Sequence, residues 1–319
     1  MHQYRLVYLI ADADVRRSPA FERARAFAHK TGAALHISLP VYSRTIALSA
    51  VFAGKAAAAA KQALVAERAH ALELEAGALR AEGLKVTTET FWTRSAIAEL
   101  AERIERLRPE LVLKDSDSAR YDASAGHAAD ADLLRHCTAP VLLVHGETAS
   151  VPLRVAAAVA SEREGLADTA FNNLLSHTAA AMARAYDAEL HLLHAEHDLA
   201  QPAVPMRHGH PIKGKSAPEL PPGSFDAFAA MHHVAPGRRH RIKGTAVSAI
   251  SDFVSRNRID LLVLGMQPRP LWLRMLRGNK VARINFSASC DVLVMKPPHL
   301  WKRRAEPGAA VGVTPAAAR

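Results

Sequence analysis

Two cysteines in 319 residues, aromatic residues at only 5%, and no apolar run of membrane-spanning length are the first constraints on this chain. Cys137 and Cys290 each sit at the mouth of an apolar run, where a small thiol packs as a core residue. They make neither a disulfide framework nor a CxxC redox pair. The N-terminal run Leu6 to Ala11 is cut off by Asp12 and Asp14, too soon for a signal peptide or a span. The expected location is therefore the cytoplasm, with no membrane partner. Scarce aromatics argue against a base-stacking surface, and neither helix-turn-helix nor zinc-finger spacing occurs. A Gly-x-Ser-x-Gly elbow is missing, and neither cysteine has a local activating base. With no catalytic constellation, the chain is not expected to be an enzyme.

Positive charge is what the sequence has in excess, a formal +10. It gathers in Arg238-Arg239-His240-Arg241 with Lys243, in Arg269 to Arg277, and in Lys302-Arg303-Arg304. The plain reading is a solvated basic surface, and nucleic acid is not an expected partner. Histidine is also plentiful, at 17. His208 and His210 are two apart and His232-His233 are adjacent, but without cysteines or enough carboxylates nearby no metal site is expected. Asp115 and Asp117 read as turn formers in preference to a catalytic pair.

The dominant internal signal is a repeat. Leu111-Val112-Leu113 returns as Leu262-Val263-Leu264 at an offset of 151, and Cys137 returns as Cys290 at 153. Ala34-Leu35-His36-Ile37 matches Glu189-Leu190-His191-Leu192 at 155, and Ala96-Ile97 matches Ala249-Ile250 at 153. A period near 150 residues in constant order is a duplicated domain, long enough to bury a core without staples. Expected units are 1–147 and 152–298, joined near Gly146 to Pro152, with 299–319 a disordered tail.

Each unit alternates apolar strands with amphipathic helices, as in a parallel sheet covered on both faces. In the first, strands are expected at Leu6 to Ala11, Ala34 to Leu39, Val86 to Trp92, Leu111 to Lys114 and Val141 to Val144. A helix capped by Ser18, opened by Pro19 and stopped by Gly32 follows the first strand. Ala56 to Ala81 reads as one long helix, and Ile97 to Leu107 as another. In the second, strands are expected at Val155 to Val159, Glu189 to His194, Asp260 to Gly265 and Asp291 to Met295, with a helix stripe through Phe171, Leu174, Leu175, Thr178 and Met182 and a helix at Ala246 to Val254. Gln201 to Gly223, rich in Pro, Gly, His and Lys, reads as a surface insertion.

After the strand Leu261 to Leu264 come Gly265-Met266-Gln267-Pro268-Arg269 and then Gly278-Asn279. Glycines at a strand end and a helix start, with a basic residue between, suit phosphate binding through backbone N–H groups and the helix dipole. In its place within a repeated α/β unit, this segment resembles the universal stress protein family, whose motif is Gly-x-x-Gly, nine residues, then Gly followed by Ser or Thr. Gly265 and Gly278 match at the right spacing. Pro268 stands for the second glycine and Asn279 for the hydroxyl residue, so a backbone donor and close approach are lost. The acid that ends the family's first strand is matched by Asp12 in the first unit and falls at about Ala158 in the second. The first unit has Lys114-Asp115-Ser116-Asp117-Ser118 where the glycine loop belongs. Leu111-Val112-Leu113-Lys114, Asp132-Leu133-Leu134-Arg135-His136-Cys137 and Gly278-Asn279 point within the family to its tandem, E-type members.

The resemblance implies two tandem, doubly wound α/β domains, Rossmann-like and adenine nucleotide alpha hydrolase-like, related by a pseudo-two-fold. It places Val141 to Val144 beside Val292 to Met295, and implies a monomer or weak homodimer with a stress-responsive role. The expected activity is binding of a small ligand at a degenerate nucleotide site in the second unit. Gly265, Gln267, Arg269, Gly278 and Asn279 are the candidate contacts. No cofactor is firmly implied, and ATP is expected to bind weakly. Alternatives are a binder of a lipid or other apolar molecule, covered by the Ala56 to Ala81 helix, and a weak ATP-binding or hydrolysing protein.

Overall fold

Helix α1 (Pro19–Thr31) shows how literally the local chemistry is obeyed. The Ser18 hydroxyl accepts from the Phe21 N–H, Pro19 takes the first helical position, and Gly32 ends the helix at φ 71°. That left-handed angle is one glycine adopts without a Cβ penalty. The computed structural model describes residues 4–12, 15, 17–116, 123–145, 151–159, 166–196, 206–207, 210–211, 224–244, 246–266 and 290–297. The expected disordered tail, the linker residues 146–150 and most of the insertion lie outside them.

The first part of the chain runs β1 (Leu6–Ile10), α1, β2 (Ala34–Val41), α2 (Arg44–Ser49), α3 (Gly54–Ala81), β3 (Val86–Trp92), α4 (Ala96–Leu107), β4 (Leu111–Asp115), α5 (Ala123–His136) and β5 (Val141–Val144). The second runs β6 (Arg154–Val159), α6 (Leu166–Tyr186), β7 (Glu189–Glu196), β8 (Met206–Arg207), β9 (His210–Pro211), α7 (Ser224–Met231), β10 (Arg239–Lys243), α8 (Ala246–Asn257), β11 (Leu261–Gly265) and β12 (Asp291–Met295). Ten strands form one sheet in the order β10-β7-β6-β11-β12-β5-β4-β1-β2-β3, while β8 and β9 pair separately. Each half reads third, second, first, fourth, fifth. The fold is thus two tandem doubly wound α/β units.

Every pairing in the large sheet is parallel except at its centre, where β12 and β5 run antiparallel with Val292 opposite Leu143 and Val294 opposite Val141. A rotation about that pair exchanges the halves, and each covers what would be an exposed edge of the other. On one face a single apolar core crosses the seam, with Phe27 of α1 and Tyr186 of α6 at 5.8 Å between ring centroids. On the other face two separate clusters lie under α4 and α5 and under α8. The seam also holds an ion pair removed from water. Arg23 of α1 lies 2.6 Å from Asp291 of β12, with side chains 2% and 0% exposed, and Asp291 accepts the His145 N–H at 3.0 Å.

Register corrects the sequence alignment by one residue. Val7 pairs with Leu111 and Val155 with Leu261, so Leu111 corresponds to Leu261, at an offset of 150 rather than 151. Side chains alternate between sheet faces, so the slip matters: Leu111 and Leu113 share a face with Leu261 and Val263. The counterpart of Gly265 is therefore Asp115. By the same register Ala158 corresponds to Ile10, and the residue answering to Asp12 is Ala160, which is equally without a carboxylate. Helices α2 and α5, strand β10 and the β8–β9 pair are not among the expected elements. Helix α2 is short, α5 has few apolar positions, β8 and β9 are two residues each within the insertion, and β10 reads in sequence as a basic surface run, though its charges fit an edge strand.

Candidate functional site

In a doubly wound sheet the ligand crevice lies beyond the carboxyl ends of the strands where their order reverses. Here those points fall between β1 and β4 and between β6 and β11.

The first crevice is occupied by its own side chains. At the end of β4 the Asp115 carboxylate accepts the Ala20 N–H at 2.9 Å, taking one of the open donors in the first turn of α1. Ser18 takes the next. The Lys114 ammonium lies 3.0 Å from Asp130 of α5 and donates to the Asp115 carbonyl at 2.9 Å, while the Ser116 hydroxyl donates to Asp130 at 3.0 Å. A carboxylate sits where an anionic ligand would need donors. Asp12 lies just past β1, its carbonyl accepting the Val15 N–H at 3.0 Å.

The second crevice is apolar at its floor. Gly265 ends β11, and a Cβ there would stand 2.6 Å from Phe171 Cε1 and 3.0 Å from Leu175 Cδ1. Both belong to α6, which has 21 residues where α1 has 13. The two helices end at matching left-handed residues, Gly32 and Asp187 (φ 55°), so the additional length lies at the N-terminal end. It carries α6 roughly 12 Å further across the strand ends. Glycine is required here to admit the Phe171 ring. The Met266 N–H donates to the Met295 carbonyl at 2.7 Å, closing the strand end as Ser116 does with Val144.

Of the residues singled out from sequence, Gly265 is placed at this strand end, whereas Gln267, Arg269, Gly278 and Asn279 lie outside the described residues, as does Pro268. Phe171 and Leu175 were read only as a core stripe. The unequal lengths of the first helices were the available signal that they reach the crevice.

Other candidates resolve into structural roles. His232 is buried with its ring nitrogen 2.8 Å from Asn173 Oδ1, and burial lowers its pKa. Among the described residues no group of three or more His, Cys, Asp or Glu could hold a metal ion. Both cysteines are buried and in no disulfide, their thiols pushed up by burial to about 11 at Cys137 and about 12 at Cys290, which removes nucleophilic character. The arginines near β10 are engaged within the fold: Arg238 with Glu189 at 2.7 Å, Arg241 with Asp226 at 2.8 Å, and Arg239 with the Val234 carbonyl at 2.9 Å. No helix among the described residues is long and apolar enough to cross a membrane.

Comparison with known proteins places this architecture. Residues 168–296 match the universal stress protein family. The chain is 22% identical over 311 residues to Universal stress protein E of Escherichia coli (strain K12), covering 93% of this chain and 95% of that one. Its fold resembles a functionally unknown protein from Pseudomonas aeruginosa PAO1, with a TM-score of 0.68, 19% identity and 93% and 94% of the two chains covered. It also resembles a universal stress protein from Archaeoglobus fulgidus DSM 4304, with a TM-score of 0.62, 14% identity and coverage of 92% and 97%. The match to the universal stress protein family falls on the second half, and the full-length likeness to Universal stress protein E extends the similarity over the first.

Proposed function

We propose that this chain is a stress-responsive binding protein, not a catalyst, and that its second unit (152–298) takes a small ligand at a crevice with little remaining affinity for nucleotide. The observation that carries this reading is the Phe171 ring against Gly265. At that strand end the glycine's open space is filled by protein. The missing acid at Ala160, Pro268 in place of glycine and Asn279 in place of a hydroxyl residue support the same reading. In the first unit (1–147) Asp115 and the Lys114–Asp130 pair stand against an anionic ligand. An oligomeric state no higher than a weak homodimer accords with a seam that already joins two units in one chain.

Titration with magnesium-ATP should give dissociation constants no tighter than roughly millimolar, about −4 kcal/mol. Micromolar binding would overturn the reading. Changing Pro268→Gly with Asn279→Ser restores a donor and a hydroxyl, but the gain should stay small unless Phe171→Ala is added. A second reading, a lipid or other apolar ligand, is favoured by the character of the same floor, where Val159, Phe171, Leu175 and Gly265 bring no charge. Mass spectrometry of the natively purified protein separates the two by what it carries.

A further inference from the structure

The segment from Tyr42 through α2 to the turn before α3 holds apolar side chains in solvent. Tyr42 is 49% exposed, Leu48 60%, Val51 75% and Phe52 93%. A phenylalanine that open stands clear of its neighbours. In α3 only Ala57 is buried before Leu72, and the next residues packed against the core are the part-buried Leu64 and Val65. Below the turn the Tyr42 and Trp92 rings lie 5.6 Å apart, and the Lys61 ammonium sits 5.5 Å from the Trp92 ring centre. The charge here has one sign. From Val41 to Ala66 there is no Asp or Glu, and Arg44, Lys55 and Lys61 are exposed and form no ion pair with a described residue.

We propose that this turn is a peripheral docking surface for an anionic lipid bilayer. Exposed apolar and aromatic side chains ringed by lysine and arginine suit the headgroup boundary, where rings bury their faces and cations meet lipid phosphates. The two rival occupants fit less well. Symmetric pairing with a second copy would set Arg44, Lys55 and Lys61 against their own duplicates. A stable protein partner needs about 800 Å² from each side, more than four side chains at a turn supply. The lack of a spanning segment, from which no membrane partner was expected, does not bear on a surface contact. The proposal is independent of the ligand crevice.

The test is co-sedimentation of the full chain with phosphatidylcholine vesicles with and without phosphatidylglycerol. Binding is expected only to the anionic vesicles, and it should weaken as salt is raised. Leu48→Ser with Phe52→Ser should lower the partition coefficient roughly tenfold or more, and Lys55→Gln with Lys61→Gln roughly 30-fold. All four side chains are exposed, so an unchanged circular dichroism melt is expected to confirm that both variants fold. Failure to bind anionic vesicles, or binding indifferent to both double variants, overturns the proposal. So does a concentration-dependent dimer in sedimentation velocity that the Leu48/Phe52 variant abolishes, since the turn would then serve a second copy.

Discussion

The fourth strand ends in Asp115 in one half of the molecule and in Gly265 in the other, and the helices above them account for the exchange. Helix α1 opens at Pro19, so its first turn presents N–H groups that need an acceptor, and Asp115 supplies one at Ala20. When the helix ends Gly32 and Asp187 are matched, the counterpart of Ala20 is Leu175, which lies well inside α6. There the backbone N–H has its partner within the helix, and a side chain at 265 would collide with Phe171 and Leu175. The residue at the strand end is thus complementary to helix length. A glycine after a β-strand in this fold can therefore answer to packing as well as to phosphate.

The seam is where the halves differ most in energy, and breaking it should have the largest effect. By register Asp291 corresponds to Pro140, so only one half contributes a carboxylate to the junction. Removing that charge breaks an ion pair whose arginine stays buried. Asp291→Ala should cost about 3–5 kcal/mol in chemical denaturation. Replacing both members, Arg23→Met with Asp291→Leu, should recover most of the loss. A single substitution costing under about 1 kcal/mol would show that water reaches the pair.

Next comes the strand end itself. Gly265→Ala forces a Cβ against the Phe171 ring and should cost about 1–3 kcal/mol, the range for overpacking. The same change in a Phe171→Ala background should cost far less, since the clash is with that ring. Equal costs in the two backgrounds would place the strain elsewhere and remove the packing explanation. Its first-half partner, Asp115→Ala, removes a helix cap and should cost about 0.5–2 kcal/mol. If Asp115→Gly proves as stable as the parent, the carboxylate is not needed by α1.

Much of this was legible in the sequence because the signals were local and repeated. Ser18, Pro19 and Gly32 announced α1, the duplicated apolar runs marked strands in both halves, and the family resemblance placed Val141 to Val144 beside Val292 to Met295, a pairing the structure makes antiparallel. Strand β10 was not legible, because Arg239 to Lys243 carries the charge of an edge strand and only Ile242 among aliphatic residues. The register slip had a similar cause: Leu261-Leu262-Val263-Leu264 is apolar throughout, so identity alone could not choose between offsets that place opposite faces inward. At the site, Gly265 was found from its motif. Its contact with Phe171 depends on where a helix begins, and helix termini are weakly written in sequence.

The smallest expected effect concerns a histidine that both halves share. His36 on β2 and His191 on β7 correspond by register, and so do Glu89 on β3 and His240 on β10. His36 thus has a carboxylate at 3.8 Å, whereas His191 has a second imidazole, Nδ1 to Nε2, at 3.1 Å. Their ring planes are within 19° and the centroids 5.3 Å apart, an end-to-end contact that one shared proton satisfies and two facing protons disrupt. Glu189, Arg238 and Arg154 surround His191, and Phe253 of α8 lies 4.5 Å from the His240 ring. Burial lowers the pKa of both, and each proton on His191 further lowers that of His240. The folded state therefore prefers them neutral, and the unfolded chain takes up more protons as pH falls through the ordinary histidine value of about 6.5. Stability is fully present above that pH and declines below it. His240→Glu, which copies the arrangement at His36, should reduce the decline in denaturation midpoint between about pH 7.5 and 5.5. Because both rings are partly solvated, the change should be smaller than any above. A decline as steep in the variant as in the parent would assign the acid sensitivity to His232, or to His36 in the other half.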